Sequence, residues 1–221
     1  MIKLAIFDMD GLMLDTEPLS IRGWKIAESQ LSLIIPDDLY PHLIGLNRDL
    51  CKTTMFARIG SFDFETALKI LNKSVDDYIT ENGVPLKPGI IHILDKLDEA
   101  GIKKAVATST ATARAMQKLT QAGIAHRFDA IIGGDQVPHS KPAPDIFLKA
   151  AKTCDIAPAH CIVLEDSNAG AQGGYSAGMR VIVVPDLDPT SDVTKKQAFA
   201  IVNDLFQAWD VISDLNGSHR L

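Results

Sequence analysis

Cysteine is scarce in this chain, and the three thiols it has, Cys51, Cys154 and Cys161, lie far apart. So few and so scattered, they supply neither a disulfide framework nor a zinc centre. Basic charge is not in excess either: 22 lysines and arginines face 28 aspartates and glutamates, for a formal net charge of −6. Binding to a phosphate backbone is driven by Lys and Arg, so no nucleic-acid partner is expected. No apolar stretch approaches the ~20 residues that cross a bilayer, which leaves no membrane partner. The short apolar run Ile2 to Phe7 ends in acids and lacks the organisation of an export signal. The expectation is a cytoplasmic protein. With 46% hydrophobic and 23% charged residues over 221 positions, the chain has ordinary globular composition and can bury a substantial core.

What is present begins at Leu4, where the chain reads Leu-Ala-Ile-Phe-Asp-Met-Asp-Gly. An apolar run of buried-strand length delivers Asp8 and Asp10, two residues apart, and then Gly11. Alternation along a strand would put both acids on one face, and the glycine favours a turn that crowds them at the strand end. Two like charges that close are costly unless a cation or a shared proton relieves them. The arrangement asks for a metal or for acid/base chemistry; its plainer alternative is a solvated turn.

Beyond this segment the pattern alternates. Residues 17–82 show no convincing strand and read as several helices broken near Pro36, Pro41 and Gly60. After Pro85, Pro88 and Gly89, a helix with Ile90, Ile91, Leu94 and Leu97 leads to a strand over Ile102 to Ala107. A helix from Ala111, a strand at Phe128 to Ile132 and a helix from Pro144 follow. A strand at Cys161 to Leu164, a glycine-rich helix, a strand at Val181 to Val184 and a closing helix over Phe199 to Ile212 complete the chain. Such alternation predicts an α/β protein with a Rossmann-like, doubly wound parallel sheet, interrupted after its first strand by an all-helical insertion. The expected division is a core of residues 1–15 and 84–221 and a helical cap of residues 16–83.

Parallel sheets of this kind bind ligands at the carboxyl ends of their strands. There the first strand supplies Asp8 and Asp10, the second Thr108, Ser109 and Thr110, and the fourth Glu165 and Asp166. Lys141 follows the third in a proline-stiffened turn. Singly each has an ordinary role: a hydroxyl capping the next helix, a solvated loop lysine, first-turn acids against a helix dipole. Those ordinary roles do not predict that all of them meet on one edge.

In this order, Asp8-Met9-Asp10-Gly11, Thr108-Ser109, Lys141-Pro142 and Glu165-Asp166-Ser167 resemble the four motifs of the haloacid dehalogenase superfamily. Asp15-Thr16-Glu17-Pro18-Leu19 and Lys141-Pro142-Ala143-Pro144-Asp145 are similar to the subgroup of beta-phosphoglucomutase and the small sugar-phosphate phosphatases. The resemblance implies that Asp8 is a nucleophile forming an aspartyl-phosphate and that Asp10 is the general acid and then the base. It implies Mg2+ held by the Asp8 carboxylate, the Asp10 backbone carbonyl and Asp166, with Glu165 either a direct ligand or the holder of a metal-bound water. Gly11, Thr108, Ser109 and Lys141 would contact the phosphoryl group.

Gly45-Leu46-Asn47-Arg48 resembles a cap loop whose arginine, in the mutase, grips the substrate's second phosphate, which makes Arg48 a candidate specificity residue. Ser20 stands where mutases of this subgroup carry a histidine that holds back water, which favours hydrolysis. The reading implied is a magnesium-dependent phosphatase of a small phosphorylated metabolite, a sugar or polyol phosphate, acting as a monomer or weak dimer. A phosphosugar mutase is the alternative. A non-catalytic role is disfavoured because each catalytic position is filled.

Overall fold

The computed structural model describes residues 1–43, 46–187 and 189–217; Gly45 of the cap-loop resemblance lies outside them. Six parallel strands form one sheet: β1 (Leu4–Phe7), β2 (Lys103–Thr108), β3 (Ala130–Gly133), β4 (Cys161–Glu165), β5 (Arg180–Val183) and β6 (Ala200–Ile201). Their spatial order is β3-β2-β1-β4-β5-β6, the doubly wound arrangement expected. β1 is central, pairing Phe7 with Val106 on one side and Leu164 on the other. Being covered on both faces, it is apolar at every position and wholly buried.

The strand alternation divides the core in two. Ala5, Phe7, Val106, Ile162, Leu164 and Ile182 pack toward helices α4 (Ile90–Glu99), α5 (Thr112–Gln121) and, beyond the short α8 (Asp192–Gln197), α9 (Leu205–Gly217). Leu4, Ile6, Ala105, Val163 and Val181 pack toward α6 (Asp145–Thr153) and α7 (Asn168–Ser176). Ile90, Leu94 and Leu97 form the buried stripe of α4 as their spacing predicts, but Ile91 is exposed and Ile93 is buried in its place.

Between β1 and α4 the chain makes α1 (Glu17–Leu31), a 3₁₀ turn over Asp37–Leu43, α2 (Arg48–Ile59) and α3 (Phe64–Asn82). This helical cap has its own core around Trp24, Leu39, Tyr40, Met55, Phe64 and Leu71. The two segments that enter and leave it are paired: Asp15 N–H donates to the Pro85 carbonyl and Lys87 N–H to the Met13 carbonyl, both at 2.9 Å.

The C-terminal region departs from expectation. In place of one helix over Phe199 to Ile212, β6 precedes α9. The backbone there is drawn into the sheet, Phe199 N–H donating to Val181 at 2.8 Å and Val202 N–H to Val183 at 2.9 Å. Phe199 and Phe206, which a helix over this segment would turn to one apolar face with Val202, are about half exposed, whereas Leu205 is buried.

Candidate active site

The sheet reverses its winding between β1 and β4, and there the candidate residues converge. Asp8 leaves β1 hydrogen-bonded through its N–H to Leu164 of β4 at 3.0 Å. Lys141, in the loop after β3 and joined to Pro142 by a cis peptide bond, is buried. Its Nζ lies 2.5 Å from Asp8 Oδ1 and 2.5 Å from Glu165 Oε1. Glu165 is fully buried, and its Oε2 accepts from Ser167 Oγ at 3.0 Å and from the Ser167 N–H at 3.3 Å. Ser167 Oγ in turn caps α7 by accepting from the Gly170 N–H at 3.1 Å. A Cβ at Gly170 would lie 1.9 Å from Glu165 Cδ, so the carboxylate rests where only glycine leaves room.

Gly11 has the same function on the other side. Its φ of +85° suits the tight turn after Asp10, and a Cβ there would lie 2.3 Å from Asp166 Oδ2. Asp166 is thereby held against the backbone that follows Asp10.

Asp10 is gripped by residues that the sequence did not single out for it. Thr16 Oγ1 donates to Oδ1 at 2.6 Å, Lys118 Nζ to Oδ1 at 2.6 Å, and Thr110 Oγ1 to Oδ2 at 2.8 Å. Thr110 therefore bonds an acid and does not cap α5. The first N–H of α5, that of Thr112, is taken by Asp135 Oδ1 at 2.8 Å. Lys118 carries no signal in the sequence: it sits mid-helix before Leu119, and only the structure shows that both are buried. Glu17, from the first turn of α1, is also buried beside this network.

The electrostatics follow from crowding in low dielectric. Burial pushes the Asp8 carboxyl up to about 7, with Lys141 opposing and Glu165 adding repulsion. Burial, then Asp8 and Glu165, hold Asp166 well above the usual carboxylate range. Glu17 is raised to about 8 by burial and by Asp10. Burial also acts upward on Asp10, but Lys118 and the two hydroxyls outweigh it and hold that carboxyl low. The ammonium of Lys141, desolvated yet flanked by Asp8 and Glu165, is held charged.

Asp8 and Asp10 open onto a cavity of about 330 Å³ between sheet edge and cap. Thr108, Ser109 and Lys118 line its floor, and Glu17, Ser20 and Arg48 come from the cap side. Thr108 Oγ1 accepts from the Thr110 N–H at 3.1 Å. Arg48 stands at the rim, half exposed, its guanidinium bound by Asp49 at 2.9 Å and by Glu65. Asp8, Asp10, Gly11, Thr108, Ser109, Lys141, Glu165 and Asp166 are thus gathered at one edge, whereas Arg48 is turned to partners within the cap.

Asp8, Asp166, Glu165 and the Asp10 carbonyl form an all-oxygen donor set, the chemistry a hard divalent cation takes. Among the described residues no three His, Cys, Asp or Glu side chains close into a cage. Mg2+ does not need one, since it is commonly held by one or two carboxylates and keeps several waters. The glycine cradle beside Asp166 and the raised carboxyls, short of positive charge, suit such an ion.

Residues 5–184 match the family described as haloacid dehalogenase-like hydrolase. Hexitol phosphatase B of Escherichia coli is 30% identical over 86% of this chain and 87% of its own. Beta-phosphoglucomutase of Bacillus subtilis is 28% identical, over 94% and 96% of the two chains. The crystal structure of beta-phosphoglucomutase from Clostridium difficile superposes with a TM-score of 0.81 at 26% identity, covering 99% of both chains. With the family matched over residues 5–184 and a relative 30% identical over most of both chains, the chain belongs to the haloacid dehalogenase-like hydrolases.

Proposed function

We propose that this protein is a magnesium-dependent phosphatase of a small phosphorylated metabolite, a sugar or polyol phosphate, working through an aspartyl-phosphate on Asp8. The observation that carries the proposal is the buried Lys141 ammonium between Asp8 Oδ1 and Glu165 Oε1, at the sheet edge that opens into the cavity. A lysine so placed neutralises charge between nucleophile and phosphoryl group and fixes one Asp8 oxygen, leaving the other for in-line attack.

In the first step Asp8 attacks phosphorus, the ester P–O bond breaks, and the leaving oxygen takes a proton from Asp10. In the second, water attacks the phosphorus of the Asp8 ester while Asp10 takes its proton, releasing inorganic phosphate and restoring Asp8. Thr108 and the Ser109 N–H hydrogen-bond the phosphoryl oxygens, with the Gly11 turn beside them. Asp8, Asp166 and the Asp10 carbonyl, with Glu165 nearby, would hold Mg2+, which would supply positive charge to the phosphoryl oxygens. Lys118 suits the second step, because it keeps Asp10 ionised and ready to accept a proton.

Hydrolysis is favoured over mutase chemistry by two residues. Ser20 turns its hydroxyl back to the Thr16 carbonyl at 3.2 Å and presents no imidazole to the cavity. Arg48 is bound by Glu65 and Asp49 and does not reach in to hold a second phosphate. The relatives named as phosphatases of hexitol and fructose phosphates support the sugar or polyol class. The paired linkers support placing the cap at residues 16–83. The same reading has the protein working in the cytoplasm, as a monomer or weak dimer.

The test is release of inorganic phosphate from a panel of sugar, polyol and aryl phosphates, with and without Mg2+, alongside Asp8→Asn. Magnesium-dependent release that disappears in the variant is expected. Release from no ester, together with interconversion of hexose phosphates when a bisphosphate is added, would overturn the phosphatase in favour of the mutase.

A further inference from the structure

Asp186 lies just beyond the C-terminal end of β5, on the edge that carries the site, and no step above uses it. Its side chain is 12% exposed. One oxygen, Oδ1, accepts from Lys87 Nζ at 2.6 Å. The other, Oδ2, is buried and has no hydrogen-bond partner among the described residues. Buried polar atoms are rarely left so, because a desolvated carboxylate oxygen without a donor is costly.

The surroundings of Gly11 show where this oxygen points. The position a Cβ on Gly11 would occupy is 2.3 Å from Asp166 Oδ2 and 3.4 Å from Asp186 Oδ2. Two carboxylate oxygens, one from the loop after β4 and one from the loop after β5, therefore face the same small space. That space adjoins the Asp10–Gly11 peptide, whose carbonyl is assigned to the cation. Asp186 Oδ2, buried without a donor and facing a second carboxyl oxygen, calls for a positive or hydrogen-donating occupant.

We infer that Asp186 is a positioning residue for the divalent cation: its Oδ2 accepts a hydrogen bond from a cation-bound water, while Lys87 fixes its Oδ1. The inference rests on the proposed magnesium site and adds a residue to its surroundings. A water-mediated role suits Asp186 better than direct ligation. Its charge is already offset by Lys87, and Mg2+ surrenders its waters reluctantly. Outer partners of this kind hold metal-bound groups in place, and their loss commonly costs 10–100-fold in metal affinity. Lys87 also reaches Asp15 Oδ1 at 3.3 Å, so the residue that aims Asp186 joins both linkers to the cap.

The experiment is Mg2+ titration by calorimetry of the metal-free full-length protein and of Asp186→Asn, Asp186→Ala and Asp166→Asn, with melting curves in EDTA. Asp186→Ala is expected to raise the Mg2+ Kd by about 10–100-fold. Its melting temperature in EDTA should stay near the parent's, because the buried unpartnered oxygen goes together with the Lys87 ion pair. Asp186→Asn, which keeps the shape and one acceptor but loses the charge, should fall between Asp186→Ala and the parent. A Kd within twofold of the parent in both Asp186 variants, with binding abolished in Asp166→Asn, would overturn this inference and leave the magnesium site standing. Loss of binding in Asp186→Ala as complete as in Asp166→Asn would make Asp186 a direct ligand and overturn the water-mediated role. A parent that binds no Mg2+, or an Asp166→Asn variant that binds as the parent does, would remove the site itself and this inference with it.

Discussion

Lys118 and Asp10 meet across the floor of the cavity, Nζ to Oδ1 at 2.6 Å, and both are largely buried. The lysine stands about two turns into α5. A low-dielectric contact with an ammonium stabilises the carboxylate over the acid, and Thr16 and Thr110 add to it from two further directions. This sets the protonation state of the residue proposed to move the proton.

Lys118→Met removes the ammonium while keeping an apolar stem of similar length. Asp10 then keeps its burial and its two hydroxyls, so its pKa rises. The acid limb of kcat against pH should move upward by about one unit, with roughly tenfold lower turnover near the old midpoint and recovery at higher pH. A pH–rate profile of parent and variant on the best ester measures it. A uniform loss at every pH would mean that Lys118 serves binding and does not set the state of Asp10.

Glu17 gives a prediction about stability. Its carboxyl is raised from an ordinary 4.5 to about 8 by burial and by Asp10, so the folded protein holds a proton there that the unfolded chain releases. Where the native state binds more protons than the unfolded state, stability falls as pH rises. The penalty is absent below about 4.5 and grows up to about 8. Glu17→Gln should match the parent near pH 4 and exceed it at pH 8 by on the order of 2 kcal/mol. Chemical denaturation in EDTA at both pH values decides this; equal stabilities at pH 8 would place the Glu17 carboxyl back in the ordinary range.

These two residues mark the limit of what the sequence disclosed. The strand ends were legible because a parallel sheet concentrates chemistry at one edge, so Asp8, Thr108, Lys141, Glu165 and Asp166 could be read in order from apolar runs followed by polar ones. The resemblance supplied their roles. Lys118 reaches the site from a helix interior, where a lysine is unremarkable by pattern, and Glu17 from a helix first turn, within the motif over residues 15–19 but with no role attached to it. Only the docking of α1 and α5 over the sheet edge brings them beside Asp10. A cap is expected from one of the hydroxyls at 108–110, because hydroxyls before helices usually are caps, but Asp135 takes that place. At the C-terminus, Phe199 kept helical spacing with Val202 and Phe206, but the free edge of β5 claimed that backbone.

Gly170 offers a test of the carboxylate shelf. An added methyl would lie 1.9 Å from Glu165 Cδ, too close for either to remain, and the side chain that must yield is the one bound to Lys141. Gly170→Ala should displace Glu165, cost about 2–4 kcal/mol of stability through overpacking and a broken buried ion pair, and lower kcat at least 100-fold. Melting curves with single-turnover phosphorylation rates measure both. A variant that melts lower yet phosphorylates at the parental rate would show that Glu165 supports the fold without aiming Lys141 at Asp8.

Arg114 and Asp76 carry the last prediction, because they join the two sides of the cavity. Arg114, on α5 of the core, makes a two-pronged contact with Asp76 on α3 of the cap, at 3.1 and 3.2 Å. Both side chains are partly exposed, so the pair adds little to global stability, on the order of 0.2–1 kcal/mol. Its expected effect is on how firmly the cap sits over the cavity: the contact needs cap and core together, so its loss favours their separation by that same small amount. Asp76→Asn should therefore leave the melting temperature within ~2 °C and raise KM about two- to fivefold, with little change in kcat at saturation. Because salt screens exposed pairs, raising the ionic strength should weaken substrate affinity in the parent more than in the variant. Steady-state kinetics at low and high salt compare the two. Identical salt dependence in both proteins would mean that this pair does not help to hold the cap.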